Sequence, residues 1–388
     1  MSTLLVIIPD RLSDIVGKGE ITPRYYNPGN LFDEVHILMI SDDRVEPRQV
    51  QRTVGDARLF IHNLPALSFR RSFSYHPWIM NYWAKAGIDL AEQIGPHLIR
   101  CHGNWLNGFV ASRIHKKLHI PYIISMHINP DEDVRGRLST AEEKKYWGAL
   151  EKIEKISLKN AAMVLPVYQP IIPYLKRMGV SNFEVAYNVL NPDHLKKKDD
   201  YRLYEPVRLL SVGRHFKEKN PENIIRAVQK LPNTHLTLVG DGPYQQYLED
   251  RARECNIEPR VSFIRAIPND DLCKRLPEFD IFVVHTEYWE IGKSVLEPLL
   301  TGLPVVINRR KGQPVPELQG DHVLTVDNTP EGYFNALNAL IYDDAMRERL
   351  GRTAYDFAQE HWKPERTEAK YVDIYRQVLQ KHGISSVR

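Results

Sequence analysis

The sequence predicts an α/β chain built as two tandem units of parallel sheet. Three observations predict it: short aliphatic runs alternate with helix-length amphipathic segments, that alternation occurs twice, and a charged aperiodic stretch separates the two series. The first series has strand candidates at 4–8 (LLVII), 35–40, 58–62, 97–101, 122–126, 163–167 and 183–187. Helical spans at 79–94, 106–117 and 140–160 lie between several of them, and strand–helix–strand order with continuous apolar strands argues for buried parallel sheet. The second series has strands at 207–212, 235–239, 260–264, 280–284, 304–308 and 322–326, then helices at 330–342 and 344–360. A last helix follows Pro364, with Val372, Tyr375 and Leu379 on one face. Residues 191–206 (NPDHLKKKDDYRLYEP) lack any apolar period and are expected as an exposed linker between domains 1–190 and 207–364.

Composition agrees with two packed domains. A chain of 388 residues allows two or three, and 43% apolar with 26% charged residues excludes a disordered, collagen-like or coiled-coil protein. No apolar run reaches 18 residues and no basic n-region precedes the first strand, so neither a membrane span nor a signal peptide is expected, and the chain is expected in the cytoplasm. Cys101, Cys255 and Cys273 are too scattered for a disulfide framework or a metal site. Residues 1–200 carry 26 Lys and Arg against 22 Asp and Glu, and 201–388 carry 26 against 27. The resulting +4 and −1 are too mild for a nucleic-acid-binding surface, although the basic half would favour anionic lipid.

Chemistry concentrates at three places. In SVGRHFKEKNP (211–221) a strand ends, Gly213 permits a turn, and Asn220–Pro221 starts a helix, which puts Arg214 and Lys219 on a strand-to-helix loop suited to an anion. A solvated basic loop is the plain alternative. In HTEYWEIGKSVLEPLLTGLPVV (285–306) an acid-rich loop leads through Gly292 into a helix whose Glu297 either holds vicinal ribose hydroxyls or closes a capping box with Ser294. His127 follows a buried strand, as does His102, and both face a sheet edge where ligands bind or are simply structural. Gly17 and Gly19, in VGKGE after the first strand, allow close backbone approach; neither they nor GDG at 240–242 complete a dinucleotide fingerprint, which argues against an oxidoreductase.

Together these motifs resemble the GT-B glycosyltransferases of family 4, over almost the whole chain. The resemblance implies two Rossmann-like domains facing across a cleft, and a C-terminal helix, 365–388, crossing back to the first. Arg214 and Lys219 match the V-G-R-x-x-x-x-K clamp on the donor diphosphate, Glu297 matches the ribose-holding glutamate, and Gly302–Val306 matches the following turn. Ser125-Met126-His127 is similar to T-x-H, which makes His127 a group at the donor sugar. The nucleotide-sugar set so implied is Gly17, Gly19, Arg214, Lys219, Ile267, Gly292, Lys293, Ser294 and Glu297, with Glu290 among the catalytic residues. One departure matters: the first glutamate of E-x7-E falls on Trp289, with Glu290 one step later, so either Glu290 substitutes or the tryptophan stacks on a different sugar.

The expected activity is retaining transfer of a sugar from a nucleoside-diphosphate donor to a glycan, lipid-linked or small-molecule acceptor, of the kind that builds bacterial surface polysaccharide. No Asp-x-Asp motif lies near the proposed site, so departure is expected to rest on Arg214, Lys219 and helix dipoles with no metal or other cofactor. A GT-B epimerase, a phosphorylase and a non-catalytic two-lobed binding protein are the rivals. Residues 65–83 combine Arg70 and Arg71 with aromatics, a composition that suits either a lipid-linked acceptor with peripheral membrane contact or a loop packed into a helix start. Nucleic acid is not an expected partner.

Overall fold

The structure, a computed structural model, describes residues 1–312, 314–384 and 387. Two compact units are present: Met1–Val189 with Glu365–Arg388, and Leu190–Pro364.

In the first unit the strands are β1 (Thr3–Ile8), β2 (Glu34–Met39), β3 (Arg58–Asn63), β4 (Leu98–His102), β5 (Tyr122–Met126) and β6 (Met163–Pro166), all parallel, in the order β3-β2-β1-β4-β5-β6. β1, β4 and β5 are buried along their whole length; β1 reads as an unbroken apolar run, whereas β4 carries buried Arg100 and His102. β3 is an edge strand and half-exposed, so its residues alternate. Residues 183–187, expected as a strand, form only an isolated bridge from Phe183 to Val164. They run beside β6, where Pro166 accepts from Ala186 N (3.1 Å) but has no N–H to return, and the ladder stops.

The last helix, Pro364–Lys381, belongs to this unit. Tyr371, Ile374, Tyr375, Val378 and Leu379 are buried in the core of the first sheet. At roughly 1.5–3 kcal/mol per buried side chain they outweigh the Arg24–Glu368 ion pair (2.5 Å), whose class contributes about 0–1 kcal/mol. Beneath this helix lies Arg100, 1% exposed and, among the described residues, without a carboxylate partner. Its guanidinium sits 4.6 Å from the Tyr371 ring and 5.5 Å from that of Tyr25, and donates to the Tyr25 carbonyl at 2.9 Å. Aromatic faces supply the negative potential here that an acid would otherwise provide.

In the second unit the strands are β7 (Val207–Val212), β8 (Thr234–Val239), β9 (Val261–Ile264), β10 (Ile281–Val284), β11 (Val305–Asn308) and β12 (Leu324–Val326), parallel, in the order β12-β11-β10-β7-β8-β9. Counted from its own first strand, each unit has the order 3-2-1-4-5-6, so each reverses direction beside its first strand. Ligands of open α/β sheets bind at that reversal, outside the carboxyl ends of the strands.

The segment 191–206 is counted with the second unit, and although most of its residues are exposed, Asn191, Lys198 and Tyr201 are buried. Lys198 is 5% exposed, its backbone N–H donates to Thr301 O at 2.7 Å, and its ammonium reaches Pro277 O at 3.0 Å. Tyr201 donates to Gly302 O (2.9 Å) and accepts from Arg347 Nε at its own carbonyl (2.9 Å). Any Cβ on Gly351 would stand 2.2 Å from the Tyr201 ring, so glycine makes the seat. Lys198 is the charged residue of this strap that is buried, and a hydropathy pattern does not show it.

Candidate active site

The reversal in the second sheet lies between β7 and β10, and the two loops that leave these strands are joined there. The β7 loop contains a short turn, Lys217–Lys219, before the helix Glu222–Gln229; Asn220 Oδ1 accepts from Glu222 N at 3.0 Å, while the N-cap position falls on Pro221 rather than on Asn220 as expected. The β10 loop runs from His285 to Gly292. Glu287 N donates to Glu218 O (2.8 Å), the Phe216 and Tyr288 rings meet edge-on at 6.2 Å, and Lys219 Nζ donates to Glu290 Oε1 at 2.6 Å. That ion pair is partly buried, the side chains being 25% and 19% exposed. Arg214 is exposed, with its guanidinium 5.1 Å from the Phe216 ring.

From the back of the site the β8 loop closes on the β7 loop by backbone contact. A Cβ on Gly240 would lie 2.0 Å from Gly213 O, and one on Gly242 2.2 Å from His215 O, with φ of 151° and 157°. GDG therefore serves close approach of this chain to itself. His215, 2% exposed, bonds through Nδ1 to Gln245 Oε1 at 2.6 Å and fixes the same corner.

Gly292 is the N-cap of the helix Lys293–Thr301, which makes Lys293 and Ser294 its first two residues, both half-buried. Gly292 has no side chain to cap the helix, and its place as N-cap leaves Ser294 inside the first turn rather than at the cap position of the expected box with Glu297. Glu297 is instead 4% exposed and accepts from Asn269 Nδ2 at 3.0 Å. Asn269 opens the helix after the β9 loop, which also carries Ile267, half-buried; one hydrogen bond thus brings that loop to Glu297. Trp289, on the β10 loop, meets the β11 loop at Gly312, where a Cβ would stand 3.4 Å from its Cζ2.

Arg310 was not anticipated. It is 8% exposed and braces the acid-rich loop from behind, donating through Nε to Tyr288 O (2.8 Å) and through Nη1 to Asn308 O (2.6 Å). Burial draws its pKa down to about 10. His285, at the end of β10, is pushed down to about 4 by burial and by the charge of Arg310, and its Nε2 meets Asn328 Nδ2 at 3.0 Å. Neither shows in the sequence as more than one of many basic residues.

In the first unit His127 follows β5, half-buried, and stacks on His102 at 5.7 Å with a 13° interplanar angle. His102 in turn lies 5.6 Å from the Tyr25 ring. The glycines expected in a loop after β1 are placed otherwise. Gly17 ends the helix Leu12–Gly17 and is exposed, and Gly19, at φ 65°, closes it, with Glu20 N donating back to Ile15 O at 3.1 Å. Their conformation is that of a helix C-terminus.

Two family models match the chain in succession: Glycosyltransferase Family 4 over residues 31–194 and Glycosyl transferases group 1 over residues 195–357. The chain belongs to this family of glycosyltransferases. Among curated relatives, the lipopolysaccharide core biosynthesis glycosyltransferase LpsE of Rhizobium meliloti is 31% identical over 46% of this chain and about half, 51%, of its own. The sulfoquinovosyl transferase SQD2 of Arabidopsis thaliana is 25% identical over 74% of this chain and 60% of its own. Of solved structures, the sucrose-phosphate synthase of Thermosynechococcus elongatus superposes with a TM-score of 0.74 at 19% identity, covering 98% of this chain and all of that one. Anabaena HepE in complex with UDP gives 0.72 at 14%, over 97% and 100%. The fold is GT-B.

Within this glycosyltransferase the site brings together Arg214, Lys219, Glu290, Gly292, Lys293, Ser294 and Glu297 on one sheet edge. Its E-x7-E segment departs at the first position, and the structure gives Trp289 and Glu290 different partners. Tryptophan packs on Gly312, and glutamate pairs with Lys219.

Proposed function

We propose that this glycosyltransferase takes a nucleoside-diphosphate sugar at the carboxyl edge of its second sheet and transfers the sugar with retention of configuration. The observation that carries this reading is the Lys219–Glu290 pair at 2.6 Å, beside the start of the helix Lys293–Thr301. Three cations, Arg214 and Lys219 on the β7 loop and Lys293 in the first turn of the helix, gather at a helix N-terminus that favours anions. A diphosphate gains charge as it leaves, so cations fixed before the reaction stabilise the transition state more than the ground state. Glu297 holds the ribose hydroxyls, oriented by Asn269, and Ile267 lies toward the base.

In the proposed step the bond from the anomeric carbon to the β-phosphate oxygen breaks, and its electron pair stays on that oxygen. The acceptor hydroxyl bonds to the same face of the anomeric carbon and its proton passes to the departing phosphate. His127 is assigned to the sugar. No metal is required in this scheme, and turnover is expected to persist in EDTA.

The acceptor is read as a glycan or lipid-linked glycan of a bacterial surface polysaccharide, supported by the description of LpsE as a lipopolysaccharide core enzyme. HepE, crystallised with UDP, supports a nucleotide-linked donor. Because such donors are cytoplasmic metabolites, the chain is placed on the cytoplasmic side; no helix of the described residues is long and apolar enough to cross a membrane. Thermal shift with UDP-, GDP- and ADP-sugars tests the donor, since a ligand at 100 Kd stabilises by about 2.7 kcal/mol. Failure of all three to shift the transition would refute the reading, and product analysis without acceptor separates a transferase from an epimerase.

A further inference from the structure

The loop and helix start of residues 68–85 form a ridge that the donor site does not use. Apart from the N-terminal methionine, four large hydrophobic side chains exceed 70% exposure among the described residues, and three fall within ten positions: Phe73 (78%), Trp78 (77%) and Tyr82 (75%). Trp78 and Tyr82 are four residues apart on the helix Pro77–Ile94, so they share one face, which Lys85 continues.

The loop ahead of that helix is built rather than loose. Ser72 is fully buried, its backbone N–H donates to Ser68 O at 3.0 Å, and its hydroxyl accepts from Tyr75 N at 3.0 Å. Phe69 and Tyr75 pack against each other (5.3 Å), and Phe69 packs on Tyr146 (5.1 Å). Phe73, Ser74 and Tyr75 hold φ of 47°, 62° and 59°, a left-handed run without a glycine. Left-handed backbone is unfavourable for such residues and persists only where its surroundings enforce it. The outcome is a braced loop whose tip, Phe73, faces water.

Charge selects the occupant. The protein has 49 Asp and Glu in 388 residues, one in about eight, yet none occurs between Asp56 and Asp89, while Arg58, Arg70, Arg71 and Lys85 do. Acids reach it from another helix, Glu142 and Glu143 lining a cavity with Ser68, Phe69 and Arg70, and from Asp89. Glu142 lies 3.8 Å from Arg70 with both side chains exposed, Asp89 pairs with Lys85, and Glu143 caps its own helix ahead of Lys144 and Lys145.

We propose that this ridge docks on an anionic bilayer surface, with Phe73, Trp78 and Tyr82 entering the interfacial layer and Arg70 and Arg71 meeting lipid phosphates. Trp and Tyr favour that layer, and aromatic anchors with adjacent basic residues supply the two signals that stable peripheral binding needs. The proposal stands apart from the donor assignment, because no residue of the ridge belongs to the nucleotide site.

Co-sedimentation of the full chain with vesicles tests it, using phosphatidylcholine alone and phosphatidylcholine with about 30% phosphatidylglycerol. Binding to the anionic vesicles and release at about 0.5 M salt are expected. R70Q/R71Q should weaken partition by about 30-fold, a factor of about five for each basic residue, and F73S/W78S/Y82S by at least about tenfold. All five side chains are exposed, so both variants should keep the wild-type thermal transition and its nucleotide-induced shift. Equal binding to both vesicle types, unchanged partition in either variant, or capture of a soluble oligosaccharide through Trp78 without vesicle binding would overturn it. A lost nucleotide shift with intact vesicle binding would instead count against the donor reading alone.

Discussion

Replacing Glu290 by glutamine should tighten nucleoside diphosphate binding, whereas replacing Lys219 by glutamine should weaken it. The pair meets at 2.6 Å with both side chains mostly withdrawn from water. Unit charges about 4 Å apart at an effective dielectric of 20 attract by about 4 kcal/mol, and desolvation of both offsets much of that, which leaves a coupling of roughly 1–2 kcal/mol. An incoming diphosphate meets a Lys219 whose charge is already answered by Glu290, and the carboxylate also repels it. At about 6 Å and a dielectric near 40 that repulsion is about 1.4 kcal/mol, or tenfold in affinity. We therefore expect E290Q to bind the diphosphate up to about tenfold more tightly and K219Q about 10²-fold more weakly. Titration calorimetry on wild type, both single variants and K219Q/E290Q closes the cycle. E290Q weakening the diphosphate as K219Q does, or a cycle closing within about 0.3 kcal/mol, would refute the reasoning. Turnover measured alongside has its own meaning: a fall in kcat with tighter diphosphate binding identifies a second task for Glu290 at the sugar.

R214A should lower turnover by about 10²-fold or more, as loss of a preorganised charge at a leaving group does, and near-normal turnover would remove that assignment. In H127Q both donor hydrolysis and transfer should fall; unchanged rates would make His127 structural. Stability should decline as pH falls from about 6.5 toward 4. Burial holds His36 and His285 at about 4 in the folded chain, the neighbouring His62 and Arg310 adding to it. The unfolded chain therefore binds more protons in that window, and the stability present above it is lost as pH drops, at roughly 2–5 kcal/mol for the two. A denaturation midpoint that stays flat between pH 7 and pH 4.5 would contradict this, and H285Q should shallow the slope.

The alternation of strands and helices was legible because burial on both faces of a parallel strand leaves an unbroken apolar run, and helices carry their own period. The clamp loop was legible too: Asn220–Pro221 marks a helix start by local chemistry, and Arg214 and Lys219 stand within reach of it. Local signals misled where a residue's partner lay elsewhere. Ser294 and Glu297 have the spacing of a capping box, yet Glu297 meets Asn269, 28 residues away. That Gly17 and Gly19 stand at the end of a short helix after β1 was not legible either, because glycine spacing does not show the helix ahead of them.

By itself, then, the sequence determined two α/β units, their parallel strands, the apolar face of the last helix and the basic loop after β7. Those features depend on periodicity and capping within a few residues. Only the tertiary structure decided that Lys219 answers Glu290 across 71 positions, that Arg310 braces Tyr288, that Tyr201 straps the second unit and that Arg100 lies under Tyr371. Strand order makes these pairs: β7 and β10 are far apart in the chain and adjacent in the sheet, so their loops become neighbours through an arrangement that no local window contains.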